Sequence, residues 1–508
     1  MSESLTAIFR RTVRDFGNRP AVAGPNRTIS YAELDSISDG IAGSLRKIGI
    51  RPGARVGILR RKSIETVAGI YGALKAGCAY VPIDSKMGID RLAAVLNDAG
   101  LAALIIEPLL MPKFQELIAK NLTPRLANAA SYGEILRFSN PAEELSPVND
   151  LAYILYTSGS TGIPKGVQHS HASALAFVSW ATTEFALSCS DRLSCHAPFH
   201  FDLTTFDLFC AAMAGACVVL IPDEVVMFPG QVASLIEKEA ITVWYSVPFA
   251  LIQMVERGNL AGRRQALREV IFAGERFPPA QLRRLAATLP EVQLTNLFGP
   301  TETNVCTYHR LSPDDLASDE FCPIGRPCPY ASVVVIDADG NEAGAGEMGE
   351  LLVGGSSLMA GYLNRPELNK KVFVTRPTSG RPERFFRTGD LVTAPAGGPI
   401  RFHGRVDRQV KVRGFRIELD EIESALANCA GVIAAAAWVK NDTNGFAEVR
   451  AAVAAGSASA GLTGDDLIVQ VRGALAQAAV PAQVLVLNDL PRSVNGKIDY
   501  AALAASAR

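Results

Sequence analysis

The residues best suited to chemistry in this chain form one loop, Tyr156-Thr-Ser-Gly-Ser-Thr-Gly-Ile-Pro-Lys-Gly166. Its three glycines allow backbone turns with positive φ, which expose successive N–H groups to a bound anion. The loop adds hydroxyl donors and one positive charge from Ser158, Ser160, Thr161 and Lys165. It differs from a Walker A loop, which places Ser or Thr directly after the lysine, because here Gly166 follows. The composition therefore predicts a binding loop for a polyphosphate.

The elements that must position this loop are predicted by hydrophobic periodicity. The loop follows an apolar run at 151–155, and strand-like runs at 56–59 and 101–106 alternate with helical segments. Such alternation predicts βαβ units and a mostly parallel sheet covered by helices, up to about residue 330. The longest apolar run, 208–222, is too short to span a bilayer and is expected to be a buried helix that runs into a strand.

The region after residue 330 has a different pattern. Its predicted elements are strands at 332–337, at 350–353 and from 385 onward, surface loops at 376–383 and 394–399, and a helix at Leu419–Ala427. We therefore expect the α/β class: a large multi-subdomain N-terminal domain, with mostly parallel sheets plus a β-rich subdomain, and a small hinged α+β C-terminal domain.

Composition limits the classes of function. Lys and Arg number 50 against 51 Asp and Glu, so no basic excess indicates a nucleic-acid partner. The nine cysteines are odd in number and scattered, without a Cys-x-x-Cys pair, which favours neither a zinc site nor a disulfide framework. Reduced thiols and an N-terminus without an apolar signal core predict a cytoplasmic protein that does not enter a membrane.

With further motifs, the loop resembles the signature of the adenylate-forming superfamily: acyl-CoA synthetases, nonribosomal peptide synthetase adenylation domains and firefly luciferase. The further matches are Leu74-Lys-Ala-Gly-Cys-Ala-Tyr-Val-Pro82, Asn296-Leu-Phe-Gly-Pro-Thr-Glu-Thr303, Gly349-Glu350, Gly361-Tyr362, Arg387-Thr-Gly-Asp390, Gly404-Arg-Val-Asp407, Lys411-Val-Arg-Gly-Phe-Arg416 and Asn495-Gly-Lys497. They span nearly the whole chain in the family's order. The resemblance implies an adenylation core at 1–404, a hinge at 405–409 and a mobile domain at 410–508.

The resemblance also implies roles for individual residues with ATP and Mg²⁺. Thr301 would contact the α-phosphate, Glu302 would bind Mg²⁺, and Lys497 would bridge the substrate carboxylate and the phosphate. The nucleotide-binding residues would be Thr157, Ser158, Gly159, Ser160, Thr161, Lys165, Asn296 and Gly299, with Gly274, Glu275, Arg276 and Phe298 at the adenine and Asp390 and Arg405 at the ribose. Outside its motif, a C-terminal lysine such as Lys497 would be expected on the surface.

The segment His200-Phe-Asp-Leu-Thr-Thr-Phe-Asp-Leu-Phe209 indicates the substrate. In members of the family that activate amino acids, an aspartate in this context pairs with the α-ammonium, which implies that role for Asp202. Asp207 would instead cap a helix or face solvent. The specificity positions map to Asp202, Leu203, Phe206, Tyr245, Ile271, Ala273, Leu297, Val305, Cys306 and Lys497. This set is apolar between its two charged ends and resembles that of free-standing L-proline-activating enzymes of prodigiosin- and pyoluteorin-type antibiotic pathways.

The expected acceptor is the phosphopantetheine thiol of a separate carrier protein, because residues 498–508 hold no modifiable serine motif. The expected reaction is that of an amino acid–carrier protein ligase, which forms a carbon–sulfur bond and releases AMP. D-alanine–carrier protein ligases share this layout and a Phe-Asp-Leu motif, so they are the first alternative. An acyl-CoA synthetase is the second, although it would not need Asp202. Of the histidines, His196 and His200 flank the predicted pocket, and His169 has no assigned role.

Overall fold

The computed structural model describes residues 3–123, 130–138, 150–159, 164–378, 380–441, 447–455, 462–492 and 498–506. Within these residues the helices are α1 Leu5–Phe16, α2 Tyr31–Lys47, α3 Ile64–Lys75, α4 Ile89–Ala99, α5 Met111–Ala119, α6 His171–Glu184, α7 Leu203–Thr205, α8 Ala211–Ala214, α9 Asp223–Val226, α10 Pro229–Lys238, α11 Pro248–Arg257, α12 Pro279–Thr288, α13 Pro313–Ala317, α14 Pro366–Val372, α15 Leu419–Ala427, α16 Gly464–Val471 and α17 Tyr500–Ser506.

The strands are β1 Pro20–Ala23, β2 Thr28–Ser30, β3 Arg55–Leu59, β4 Ala79–Pro82, β5 Ala103–Ile106, β6 Ala130–Tyr132, β7 Ile135–Arg137, β8 Leu151–Thr157, β9 Lys165–Ser170, β10 Arg192–Cys195, β11 Cys217–Leu220, β12 Val243–Ser246, β13 Glu269–Ala273, β14 Gln293–Phe298, β15 Thr307–Arg310, β16 Arg326–Pro327, β17 Ala331–Ile336, β18 Met348–Gly355, β19 Gly361–Tyr362, β20 Phe373–Thr378, β21 Arg381–Thr393, β22 Arg401–Arg405, β23 Gln409–Val412, β24 Phe415–Glu418, β25 Val432–Asn441, β26 Ala447–Ala455 and β27 Gln483–Leu487.

Two large mixed sheets organise the first 330 residues. One has the order β16-β15-β14-β13-β12-β10-β11-β1-β2, with parallel pairing from β14 through to β1, and the other has the order β19-β9-β8-β4-β3-β5-β7-β6. Side chains of both sheets, such as Tyr80 and Tyr153 from one and Tyr245 from the other, belong to one buried cluster with helices α1, α2, α3 and α6. The predicted α/β class is confirmed. The first of these sheets is mostly parallel, whereas in the second only the run β8-β4-β3-β5 is parallel. The apolar run 208–222 also forms the predicted buried helix and strand, as α8 followed by β11.

The β-rich part is a five-stranded antiparallel sheet of order β17-β18-β21-β20, with β22 paired to β21. The predicted strands at 332–337 and 350–353 are confirmed as β17 and β18. The surface loop predicted at 376–383 is wrong, because Arg376 pairs with Glu383 and Pro377 with Pro382 in the hairpin β20–β21. The glycine that suggested a loop, Gly380, lies at the tip of this hairpin. Pro377 lies on β20, at the edge of the sheet where proline is tolerated, and Pro382 lies opposite it on β21.

The C-terminal part is a small α+β unit, as the sequence predicts. Strands β23 and β24 form a two-stranded hairpin, and β25, β26 and β27 form a three-stranded sheet packed against α15 and α16. Helix α15 matches the predicted Leu419–Ala427. All nine cysteines are free thiols. Among the residues that the structure describes, no helix has the length and apolar character needed to cross a membrane.

Candidate active site

The predicted phosphate loop connects two antiparallel strands of the second large sheet. Thr157, at the end of β8, pairs with Lys165, at the start of β9, so both ends of the loop are held by the sheet. Ser158 Oγ donates a hydrogen bond to the Arg416 carbonyl at 2.8 Å, and Lys165 Nζ lies 3.5 Å from Glu418 Oε1. The predicted residues Ser160 and Thr161 lie outside the described residues.

The predicted α-phosphate and metal residues, Thr301 and Glu302, lie in a tight turn after β14. The turn needs Gly299, because a Cβ there would lie 1.8 Å from the Asn304 carbonyl oxygen. His169 supports the turn, with its Nε2 2.8 Å from the Thr301 carbonyl oxygen. Burial lowers the pKa of His169 to about 4, so the ring is neutral at pH 7 and donates this bond from Nε2.

Glu302 is fully buried and doubly hydrogen-bonded. Its Oε2 accepts from an Arg416 guanidinium nitrogen at 2.6 Å, and its Oε1 accepts from the Tyr362 hydroxyl at 2.5 Å. Burial alone would raise the pKa of Glu302, but the charges of Arg416 and Lys165 outweigh it and lower the pKa to about 2. Glu302 is therefore an anion at pH 7 in a site shielded from water.

The residues predicted for adenine and ribose converge around the β-rich sheet. Phe298 packs against Phe402 with ring centroids 5.9 Å apart, and the Arg276 guanidinium lies 4.8 Å from the same Phe402 ring. Asp390 on β21 pairs with Arg405 on β22 across the sheet, and their side chains form an ion pair at 2.5 Å. These groups form an aromatic and cationic wall beside a carboxylate, an arrangement that suits a nucleoside.

Two other predicted nucleotide-binding residues make contacts within the protein. The Asn296 side-chain amide donates to the Pro323 carbonyl at 2.8 Å, which anchors β14 to the segment before β16. Glu275 Oε1 accepts the Gly414 N–H at 2.7 Å, and Gly274 next to it has φ of +95°. Burial raises the pKa of Glu275, and its backbone hydrogen bonds partly offset the rise.

The predicted acyl pocket is formed by three neighbouring parallel strands and the segment after Asp202. Tyr245 on β12 is in register with Ile271 on β13, and Ala273 is in register with Leu297 on β14. Residues in register, and residues two apart on one strand, face the same side of a parallel sheet. These four side chains, together with Phe206, Val305 and the partly buried Leu203, belong to one apolar cluster.

Two details of the pocket matter for its shape. The Phe206 ring meets the Tyr245 ring edge-on, with centroids 5.3 Å apart, so two aromatic rings narrow the pocket. Cys306 is buried as well, but it packs in a separate cluster with Ile324 and Val392 of the β-rich part. The other apolar specificity residues thus belong to one cluster, and Cys306 belongs to another.

Asp202 precedes Leu203, which packs against the apolar cluster, and its carboxylate is close enough to Thr301 and Lys411 to interact with both. Burial raises the pKa of Asp202, and a hydrogen bond to Thr301 and the charge of Lys411 oppose that rise. Asp207 is not a cap or a solvent-facing group, so that expectation is wrong. Its side chain is fully buried, and neither of its carboxyl oxygens has a hydrogen-bond partner among the described residues. Burial raises the pKa of Asp207 strongly, because a charge cannot be solvated there.

The hairpin β23–β24 of the small unit extends into this site. Its two-residue turn, Arg413-Gly414, has φ of +54° and +83°, which fits the turn type that suits the twist of a hairpin. A side chain at Gly414 would collide with Val247, 2.5 Å from the position of its Cβ. The ring of Phe415 meets that of Phe201 at 5.1 Å. Glycine is thus required both for the turn and for its close approach to the large unit.

Several residues in the site were given no role by the sequence, namely His169, Tyr362, Lys411, Arg416 and Glu418. Lys411 lies with its Nζ 5.8 Å from the Phe298 ring centroid, and burial lowers its pKa while Asp390 opposes that effect. Tyr362, Lys411 and Arg416 lie inside motifs that carry the family resemblance, which is the signal that could have identified them. His169 and Glu418 had no such signal. The predicted catalytic Lys497 lies outside the described residues.

Comparisons with known proteins identify the family of this chain. The family model described as "AMP-binding enzyme" matches residues 9–363, and the model of the AMP-binding enzyme C-terminal domain matches residues 421–497. The L-proline–[L-prolyl-carrier protein] ligase of Pseudomonas fluorescens is 35% identical over 499 residues, covering 96% of each chain. The Streptomyces coelicolor ligase with the same name is 35% identical over 529 residues, covering 99% of this chain and 97% of its own.

A solved structure extends the likeness to the complete fold. An amide bond synthetase from Marinactinospora thermotolerans superposes with a TM-score of 0.85 at 26% identity, covering 98% of this chain and 99% of its own. The family models, the full-length relatives and the arrangement of the site all agree. The chain therefore belongs to the AMP-binding enzyme family, within the adenylate-forming superfamily that its motifs predict.

Proposed function

We propose that this enzyme activates a small apolar amino acid, most favourably L-proline, as its aminoacyl adenylate. It then transfers the aminoacyl group to the phosphopantetheine thiol of a separate carrier protein. The observation that carries the proposal is the surroundings of Asp202, whose carboxylate interacts with Thr301 and Lys411 and whose neighbour Leu203 packs against the apolar cluster. A substrate held there has its ammonium at Asp202, its ring among apolar side chains and its carboxylate toward the phosphates.

The first half-reaction joins two anions. A carboxylate oxygen of the amino acid bonds to the α-phosphorus of ATP as the bond from that phosphorus to pyrophosphate breaks. Such a reaction needs positive charge and hydrogen-bond donors aimed at the phosphates. Lys165, Thr301 and the loop after β8 supply them in the large unit, and Lys497 would supply another from the small one.

Glu302 fits the Mg²⁺ that the family uses with ATP. It is buried and ionised, and Mg²⁺ is usually bound by one or two carboxylates together with phosphate oxygens. Within the described residues there is no group of three His, Cys, Asp or Glu side chains placed to hold a metal. Glu302 would thus share the ion with the nucleotide, whose charge the ion would partly neutralise.

The second half-reaction would use the other arrangement of the small unit. The carrier thiol loses its proton and bonds to the acyl carbon, and AMP leaves with the oxygen that linked it to that carbon. We propose that residues 1–404 form the core, that 405–409 form the hinge and that 410–508 move between two positions. Arg405 supports this division, because it pairs with both Asp390 and Asp407 at the edge of the core.

The chemistry of the predicted pocket residues supports proline. Phe206, Tyr245, Ile271 and Leu297 are buried, and none of them carries a charge. The two full-length relatives named as L-proline–carrier protein ligases support the same substrate.

The test is ATP–pyrophosphate exchange over a panel of amino acids, followed by loading of a phosphopantetheinylated carrier protein. We expect the highest exchange rate with L-proline, and measurable exchange with close ring analogues, because one methylene in an apolar pocket changes the barrier by only about 1–3 kcal/mol. Preference for D-alanine, or for a fatty acid transferred to coenzyme A, would contradict the proposal.

A further inference from the structure

Lys62, which has no part in the proposed chemistry, is buried beside the segment that carries Asp202. Its side chain is 3% exposed. It lies in the loop between β3 and α3, just past the end of β3. A buried ammonium is costly unless its three N–H groups find acceptors. The partners of Lys62 therefore indicate which part of the chain it holds in place.

Two of these partners are successive backbone carbonyls at the end of β10. Lys62 Nζ donates to the Cys195 carbonyl at 3.1 Å and to the His196 carbonyl at 2.7 Å. The third partner is Asp223, whose Oδ1 lies 3.9 Å from Nζ. Strands β3 and β10 belong to different sheets, so Lys62 joins the carboxyl end of one strand from each sheet. Ligand sites of open α/β sheets form at these ends.

The same two hydrogen bonds anchor the start of the segment that leads to Asp202. Residues 196–202, all of which the structure describes, lie between β10 and α7 and belong to no helix or strand, so no sheet ladder fixes their path. The far end of this segment is held by the beginning of α7, where the Thr205 N–H donates to the Asp202 carbonyl at 2.9 Å. Lys62 supplies the anchor at the near end.

The charge of Lys62 also acts on titratable groups at both ends of this region. Burial, and after it the charge of Lys62, lower the pKa of His196 to about 3, so that ring is neutral at pH 7. Burial raises the pKa of Asp207, and the charge of Lys62 opposes that rise. Lys62 is thus near both the segment before Asp202 and the helical turn after it.

We propose that Lys62 is a positioning residue for the amino-acid substrate. By holding the carbonyls of Cys195 and His196, it sets the path of residues 196–202 and keeps the Asp202 carboxylate at the substrate ammonium. The inference rests on the proposed function, because it assumes that Asp202 binds that ammonium. Lys62 itself does not touch the substrate, since its N–H groups are directed at oxygens of this chain.

The first test compares Lys62→Met with Lys75→Met in ATP–pyrophosphate exchange. Methionine has nearly the length of lysine without the charge, so the variant removes the anchor and keeps the volume. A misplacement of about 1 Å can cost as much as 100-fold, and we expect KM for L-proline to rise by about tenfold in Lys62→Met. KM for ATP should change little, because the phosphate-binding residues lie on other segments.

Lys75 is the matched control, because its side chain is 0% exposed and its ammonium pairs with Asp35 and Asp39 at the other end of α3. Lys75→Met therefore also removes a buried ammonium, but away from Asp202, and should leave KM for proline unchanged. An unchanged KM in Lys62→Met, or an equal rise in both variants, would overturn the inference.

The second test separates a displaced Asp202 from a damaged pocket. Cyclopentanecarboxylate has the ring size and the carboxylate of proline but no ammonium, so it should inhibit exchange competitively without using Asp202. Its Ki should be the same in Lys62→Met as in the unchanged enzyme. A Ki that rises by the same factor as KM for proline would overturn the inference, because it would indicate general damage to the pocket.

The third test combines Lys62→Met with Asp202→Ala. If Lys62 acts through Asp202, the double variant should have the same KM for proline as Asp202→Ala alone, whereas independent roles would multiply the two losses and overturn the inference. Lys62→Gln, which keeps N–H donors without the charge, takes the place of Lys62→Met if that variant does not fold, and should show the same pattern with a smaller rise. An unchanged enzyme that activates no amino acid would overturn the proposed function as well. A normal KM for proline in a folded Lys62 variant would overturn only the inference.

Discussion

The two ends of the active site are held together in different ways. The acyl pocket is formed by side chains on β12, β13 and β14, which are neighbours in one parallel sheet, so the register of that sheet places Tyr245, Ile271 and Leu297. At the predicted phosphate end, residues of the small C-terminal unit form ion pairs with residues of the large unit. Arg416 pairs with Glu302, and Glu418 pairs with Lys165. One end is a set of buried apolar side chains within a single core, and the other is a set of ion pairs between separate parts.

This difference explains how one site can perform two reactions. A packed apolar wall holds its shape, because moving it would open voids that cost van der Waals contacts. Ion pairs can exchange one partner for another of equal charge without changing the fold. The substrate pocket is thus expected to stay constant, while the phosphate end changes its occupants between the two half-reactions. Four predictions test this contrast.

The largest effect is expected from Lys497→Ala. Lys497 would act only when the small unit is in its adenylating position, and loss of a preorganised charge there costs on the order of 10²–10³ in rate. Pyrophosphate exchange should fall by that factor, while transfer from synthetic prolyl-adenylate to the carrier should be nearly normal in single-turnover assays. Lys371→Ala, on exposed α14, is the control. Equal loss of both half-reactions would contradict the alternating account.

Asp202→Ala tests whether this carboxylate, between the predicted acyl pocket and the predicted phosphate-binding residues, binds the ammonium group of the amino acid. A hydrogen bond to a charged group contributes about 1.5–3 kcal/mol, so KM for the amino acid should rise by roughly 10- to 100-fold. The binding of ATP should change little. Asp207→Asn is the matched control five residues away, because Asp207 is buried, burial raises its pKa, and the amide has nearly the same shape. Unchanged exchange kinetics in Asp202→Ala would show that the ammonium binds elsewhere.

Leu297→Ala tests whether the pocket wall alone sets the size of the substrate. Removal of a buried branched side chain from β14 enlarges the cavity, which should lower kcat/KM for L-proline by about tenfold. Larger apolar amino acids should gain exchange activity relative to proline. Transfer to the carrier from synthetic prolyl-adenylate should weaken in the same sense, because the same pocket holds the prolyl ring in both half-reactions. A proportional loss for every amino acid would indicate damage to the fold instead of a changed pocket.

The smallest effect concerns how the docking of the hairpin β23–β24 against the large unit depends on pH. The folded-state pKa of Glu302 is about 2, below its ordinary value of 4.5. The stability that its ionisation contributes is therefore fully present above about pH 4.5 and is lost as the pH falls through about 2. Between pH 8 and pH 5, the protection of the hairpin β23–β24 from hydrogen–deuterium exchange should stay constant, once it is corrected for intrinsic exchange rates. Release of the hairpin within that range would show that another group controls docking.

The sequence anticipated local features and failed where the outcome depended on context. Helix α15 and strands β17 and β18 follow from periodicity and alternation within short windows, whereas the phosphate loop stays a prediction. The hairpin β20–β21 was predicted as a loop, since its prolines and glycine resemble turn residues until their place on a sheet edge is known. Asp207 was expected at the surface because carboxylates usually are, and only packing shows that it is buried.

The residues of the candidate site also fall into those that the sequence predicted and those that only packing brings together. The sequence by itself determined the chemistry, through a loop suited to phosphates, a carboxylate beside an apolar pocket and motifs in the order of one superfamily. Only the tertiary structure decided that Arg416 pairs with Glu302 and that Glu418 meets Lys165, residues 114 and 253 positions apart. A local pattern records the preferences of a segment. Which charged residues pair with each other depends on how distant segments of the chain pack, and no short stretch of sequence contains that information.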